Sequence, residues 1–238
     1  MKKFWLPLAF LVALTTLLTG SASATTLTYT GGSHQRSAGN YYVGPYSLML
    51  DPDGSGPLSA QFYAGICDDS LGTITGGQSW EVTRHDLTAS GLSGAKYFDN
   101  TNSSTAAASL RNYLAVTYLA EQLLSLPTPS ASWNNVISDS HNATRTAYQW
   151  AIWTIFNSVP AAPSSISSTV AAFVADGYAA VDNNNWIGGG WAVFTPTAAY
   201  TARQEMLIRV PEATSLASLG LNFGALILLG YAFRRRMS

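Results

Sequence analysis

Residues Ser104-Thr105-Ala106-Ala107-Ala108-Ser109-Leu110-Arg111-Asn112-Tyr113-Leu114-Ala115-Val116-Thr117-Tyr118-Leu119-Ala120-Glu121-Gln122-Leu123-Leu124-Ser125-Leu126 contain neither glycine nor proline, and Pro127 follows them. Ala, Leu and Tyr dominate, which predicts a helix that the proline stops. Upstream, residues 25–100 are rich in Gly, Ser, Thr and Tyr and alternate over short runs, as in Thr26-Leu27-Thr28-Tyr29-Thr30 and Tyr46-Ser47-Leu48-Met49-Leu50. Gly31-Gly32, Asp51-Pro52-Asp53-Gly54 and Gly76-Gly77 punctuate these runs, giving strands joined by turns. Downstream, a second helix is expected from Asp139 to Asn157, ending near Pro160, and a third from Ser165 to Val181. Trp191-Ala192-Val193-Phe194 and Gln204 to Val210 read as returning strands. Strands, a helical block and closing strands predict an α+β domain, a β-sheet or sandwich core with a helical insertion.

Composition narrows the function classes. Of 238 residues 47% are hydrophobic, 12% aromatic and only 11% charged, which excludes a disordered chain or a coiled coil. Residues 25–210 hold 7 Lys and Arg against 12 Asp and Glu, so no basic face exists to neutralise nucleic-acid phosphates. The sequence has no Walker loop, dinucleotide fingerprint or Gly-x-Ser-x-Gly elbow, and His34, His85 and His141 lack metal-ligand spacing. No cofactor is expected.

The two ends read as targeting segments. Met1-Lys2-Lys3, an apolar run from Phe4 to Leu18 and the small residues Ala22-Ser23-Ala24 form a secretory signal peptide over residues 1–24, cleaved by signal peptidase after Ala24. Residues 25–210 are then the exported domain. Near the C-terminus, Ala213 to Phe233 would span roughly 31 Å as a helix, close to a bilayer core of about 30 Å. A transmembrane helix is therefore expected over about 214–233, with Arg234, Arg235 and Arg236 held on the cytoplasmic side of the inner membrane. Pro211-Glu212, the Leu- and Gly-rich stretch and the Arg cluster resemble the PEP-CTERM sorting signal of Gram-negative bacteria over residues 211–238, with Ala213 standing where a second proline is usual. The resemblance implies an exosortase-type processing partner acting near Pro211 and Glu212. It also implies a surface or extracellular-matrix destination linked to exopolysaccharide and biofilm.

Two residues inside the domain suggest chemistry. Cys67 is the only cysteine, so no internal disulfide forms, and its bland role is a buried thiol at a strand end. Gln149 lies in Tyr148-Gln149-Trp150-Ala151-Ile152-Trp153-Thr154-Ile155-Phe156, where helical spacing puts it on one face with Ile152, Trp153 and Phe156. A glutamine buried on that face needs partners for its amide or costs about 1–3 kcal/mol. Cys67 upstream of Gln149-Trp150-Ala151-Ile152-Trp153 resembles the thioester domains of bacterial surface adhesins, with Tyr148 in place of the usual threonine. That resemblance implies an internal Cys67–Gln149 thioester and covalent capture of a partner nucleophile. Asp68-Asp69, directly after the cysteine, should raise the thiol pKa.

Other candidates are weaker. Asp51, Asp53 and Ser55 resemble the start of a calcium loop, against the simpler reading of an acidic turn. Asp68, Asp69 and Glu81 are the carboxylates to test for polysaccharide hydrolysis. Tyr41, Tyr42, Trp186 and Trp191 are aromatics that would suit sugar stacking if exposed. Three functions stay open: a non-enzymatic exported matrix protein, a covalent adhesin, and a polysaccharide-binding or polysaccharide-active protein.

Overall fold

The computed structural model describes residues 25–32, 35–36, 42–51, 61–127, 141–157 and 161–210. Eight strands and three α-helices are found among them. The strands are β1 (Thr25–Gly32), β2 (Gln35–Arg36), β3 (Tyr42–Val43), β4 (Tyr46–Asp51), β5 (Gln61–Cys67), β6 (Ser79–Asp86), β7 (Trp191–Pro196) and β8 (Met206–Arg209). The helices are α1 (Ser103–Ser125), α2 (Asn142–Ile155) and α3 (Ser167–Asp182).

Six strands close into a barrel in the order β1-β4-β5-β8-β7-β6, every neighbouring pair antiparallel, while β2 and β3 form a separate ribbon. This corrects the expected α+β fold with a β-sheet or sandwich core and a helical insertion. Closure depends on β1 pairing with both β4 and β6, and on β8 inserting between β5 and β7. Alternation along one strand reports which side chains point inward, but a sandwich and a barrel use the same alternation. The transmembrane helix expected at 214–233 belonged to the same fold reading. It lies outside the described residues, and among the described residues no helix is long and apolar enough to cross a membrane.

Burial explains why some strands alternate and others read as continuous apolar runs. Leu27, Tyr29, Leu48, Trp80, Val82, Ala192, Phe194, Met206 and Ile208 fill the barrel. On the outside of the same wall, Ile66, Val193 and Leu207 join a second core with Tyr113, Val116, Leu119, Trp150, Ile152 and Trp153 from the helices. β7 and β8 are therefore buried on both faces and lack alternation, whereas β6 shows a solvent face at Glu81 and Thr83.

Helix α1 is fastened at its start by a reciprocal cap. Asn102 Oδ1 accepts from the backbone N–H groups of Ser104 and Thr105 at 2.9 and 3.0 Å, and Asn102 N–H donates to Thr105 Oγ1 at 3.1 Å. It is tied to the barrel through Glu121, which accepts from the Trp191 indole at 3.0 Å and pairs with Arg209 at 3.1 Å.

The barrel interior leaves no room at Gly65, where an added Cβ would come 2.2 Å from Leu48 Cδ1. Gly65→Ala is expected to lower stability by about 1–3 kcal/mol through overpacking, measured by chemical denaturation. Leu48→Ala in the same chain should recover part of the loss by vacating the contested space, whereas additive losses would refute the steric account.

Candidate functional site

Cys67 is the last residue of β5 and Gln149 lies in the middle of α2, so both sit where the barrel wall meets the helices. Both are fully buried. Ile66 points outward into the helical core, and Cys67 belongs to the barrel core. The chain leaves the strand immediately afterwards, which brings the cysteine to the rim facing α2.

The Gln149 amide is held at both ends. Its Nε2 donates to the Cys67 carbonyl at 2.5 Å, and its Oε1 accepts from the Gly44 N–H at 3.1 Å. The Trp153 indole N–H donates to the same Cys67 carbonyl at 3.1 Å. Gln149 and Trp153 are four residues apart on one helix face, so a single turn of α2 delivers both donors to one strand-end oxygen. Gly44 is closely surrounded: a Cβ there would lie 3.1 Å from Ile66 Cδ1 and 3.3 Å from Gln149 Oε1. A side chain would press on the atoms that bring the Gly44 N–H to Gln149 Oε1.

The thiol of Cys67 donates to the backbone carbonyl of Asp69 at 2.8 Å. Burial pushes its pKa well up, and the adjacent charges of Asp68 and Asp69 add to the rise. The cysteine is thus held as a neutral thiol. Its acidic neighbours do what their place in the sequence implied.

Asp68 and Asp69 lead into a buried polar cluster that sequence reasoning did not assemble. Glu205, just before β8, accepts from the Tyr113 hydroxyl at 2.7 Å, from the Lys96 backbone N–H at 2.8 Å and from the Thr195 hydroxyl. Asp69 accepts at Oδ1 from the Tyr97 hydroxyl and the Leu71 N–H, both at 2.9 Å, and at Oδ2 from the Lys96 ammonium. The two oxygens of Asp68 meet no N–H or O–H donor, and the Glu205 carboxyl is its neighbour. Two carboxylates cannot satisfy one another without a proton. Glu205 already accepts three donors, and Asp68 has none. Burial is the first cause that raises the Asp68 pKa, followed by the charge of Glu205 and the hydrogen bond to it. Tyr97 stacks on Phe156 at 4.6 Å and Tyr113 tilts against it at 4.8 Å, an aromatic wall beside the acids. The signal for Glu205 was present in sequence as a lone carboxylate beside the apolar run Met206-Leu207-Ile208, but its partners come from four separate segments.

The remaining candidates separate. Asp51 is buried at the end of β4 opposite Thr26, and Asp53 and Ser55 lie outside the described residues. Among the described residues no group of three or more His, Cys, Asp or Glu could hold a metal ion. Glu81 is exposed on β6 while Asp68 and Asp69 are buried, so the three do not line one open cleft. Trp191 is buried, and Trp186 is half-buried with its indole on the Thr117 hydroxyl and its ring edge-on to Tyr118. Tyr41 lies outside the described residues, as do Pro211, Glu212, Arg234, Arg235 and Arg236 of the sorting resemblance.

No protein-family model matches the chain, and no curated protein matches it. Among solved structures it is similar to the N-terminal thioester domain of fibronectin-binding protein SfbI from Streptococcus pyogenes. The identity is 12% and the TM-score 0.46, over 80% of this chain and 95% of that one.

The acid pair makes stability depend on pH. Folding raises the Asp68 pKa, so its contribution is present in full below the ordinary carboxylate range and is lost as pH rises through the raised value. Asp68→Asn, whose amide can donate to Glu205 without titrating, is expected to flatten the fall of Tm over that rise. Thermal melts of both proteins across the pH series check this, and parallel profiles would place the proton elsewhere.

Proposed function

We propose that the domain is a self-modifying module whose Cys67 and Gln149 side chains condense to an internal thioester, and that it serves outside the cytoplasm to bind a partner nucleophile covalently. The observation that carries the reading is the seating of the Gln149 amide. Nε2 rests on the Cys67 carbonyl and Oε1 rests on the Gly44 N–H, both in a site closed to water.

The chemistry balances without a cofactor. Cys67 Sγ attacks Gln149 Cδ, the developing oxyanion at Oε1 is held by the Gly44 N–H, and Nε2 leaves as ammonia carrying the thiol proton. The amide, lost once, is not regenerated, so the module is a reagent rather than a turnover enzyme. A thioester is prone to hydrolysis, and full burial of both residues protects it. The same burial predicts that small amines open it ahead of large ones.

The leader expected from the sequence agrees with this reading. The small-residue triplet Ala22-Ser23-Ala24 directly precedes Thr25, the first residue of barrel strand β1. Cleavage there leaves the barrel whole. A surface or matrix location, near the exopolysaccharide that the C-terminal resemblance implies, would supply amines or hydroxyls for capture.

The test is the intact mass of the full chain expressed with its leader. The expected mass is short by one ammonia, with the deficit replaced by one methylamine on incubation with that amine, and no deficit in Cys67→Ala or Gln149→Ala. A full mass in the native protein, with a thiol that alkylates only after denaturation, would make Gln149 a structural clamp and end the thioester reading.

A further inference from the structure

Lys96 and Asp69 face one another in a setting that does more than pair two charges. Asp69 is fully buried, and the Lys96 side chain is 30% exposed with its ammonium turned inward onto Asp69 Oδ2. The other carboxyl oxygen, Oδ1, is held by the Leu71 N–H and the Tyr97 hydroxyl. Asp68, next in the chain, has no donor on either carboxyl oxygen, and its neighbour Glu205 accepts the backbone N–H of Lys96 itself. An amine thus touches a carboxyl already polarised by two donors, and the carboxyls of Asp68 and Glu205 are electrostatic neighbours of that carboxyl and of one another.

We propose that Lys96 Nζ and Asp69 Cγ become joined by an intramolecular amide bond, with Asp68 and Glu205 moving the protons. An ammonium and a carboxylate together contain the atoms of one amide and one water, so no other reactant is needed. The step begins with transfer of one proton from Nζ to Oδ2, which gives the neutral amine and acid. The Nζ lone pair then attacks Cγ. Negative charge gathers on Oδ1, where Leu71 N–H and Tyr97 O–H already point. The C–Oδ2 bond breaks, Asp68 protonates the departing oxygen to release water, and the acid pair regains its proton from the nitrogen. Oδ1 remains as the amide oxygen with both its hydrogen bonds intact.

The product would staple the loop that precedes α1 to the end of β5, one residue beyond Asp68 and two beyond Cys67. A covalent tie there would resist the pull of a captured partner, which would load the chain at that rim. The bond forms or fails independently of the thioester.

Tryptic mapping of the purified full chain tests it, after methylamine treatment and denaturation to open any thioester. The expected result is no cleavage after Lys96, and a branched peptide joining residues 37–84 to residues 85–111 that is lighter than the sum of its parts by one water. Lys96→Arg should abolish the branch. Asp69→Asn should keep it but lose ammonia in place of water, an outcome that an ion pair cannot produce. Glu205→Gln should lower the branched fraction at least several-fold in protein that still melts cooperatively. Complete cleavage after Lys96 in the native chain, with both peptides at their full masses, would overturn the proposal. An unchanged branched fraction in Glu205→Gln would overturn the role of the acid pair.

Discussion

A single carbonyl oxygen, that of Cys67, receives both the Gln149 amide and the Trp153 indole, and the two halves of the molecule meet there. The strand that ends at Cys67 belongs to the barrel, and the donors belong to α2. Each such hydrogen bond is worth only about 1 kcal/mol net, but leaving either donor unmatched in that dry site would cost about 1–3 kcal/mol. This asymmetry fixes the register of α2 against β5. A shift by one helical residue would point Gln149 and Trp153 away and leave both donors and the acceptor orphaned. Ile152 and Trp150 then pack where the outward faces of β5, β7 and β8 require apolar surface.

The same strand end organises the acids. From Cys67 the chain presents three functions in successive residues: a thiol bonded to the Asp69 carbonyl, a carboxyl on Asp68 that has no donor, and a carboxylate on Asp69 bound by Lys96, Tyr97 and Leu71. Glu205, just before the neighbouring barrel strand β8, and Tyr113 on α1 complete the set. β5, β8, α1 and the 87–102 loop are thus cross-linked by polar contacts at the place where the two apolar cores abut. Buried polar networks of this sort are costly unless every member is satisfied. Here the one shortage is a donor for Asp68, and burial beside Glu205 raises its pKa.

How far the sequence disclosed this depended on whether the signal was local. The three helices were legible because apolar spacing and flanking prolines are properties of short windows, and α1, α2 and α3 begin within about three residues of the expected starts. Gln149 was legible as buried for the same reason, since Ile152, Trp153 and Phe156 share its face. The barrel was not legible. Its closing pair, β1 with β6, joins strands more than forty residues apart in a register that no alternation encodes. The acid cluster was half legible. Asp68 and Asp69 stood out beside a lone cysteine, but Lys96, Tyr97, Tyr113 and Glu205 reach them only through the fold. The exposure of Trp186 was not legible either, because it is α1 that supplies Thr117 and Tyr118 to bury one side of it.

The acidic residues after Cys67 look at first like an argument against nucleophilic chemistry, since a raised thiol pKa means little thiolate. That objection applies to a cysteine that must attack an external substrate from water. In a closed site the thiol and the amide are both neutral, and so are the thioester and ammonia that would replace them. A site that began from a thiolate would have to bury a charge and then discharge it, at a desolvation cost far larger than that of moving one proton between neighbours. The proton that keeps Cys67 neutral is also the one that the departing nitrogen needs. Raising the thiol pKa therefore lowers the resting reactivity of Cys67 toward external electrophiles without removing its route to Gln149. The donor that matters most is then not near the sulfur but at Gly44, where a single backbone N–H meets the oxygen on which charge must accumulate.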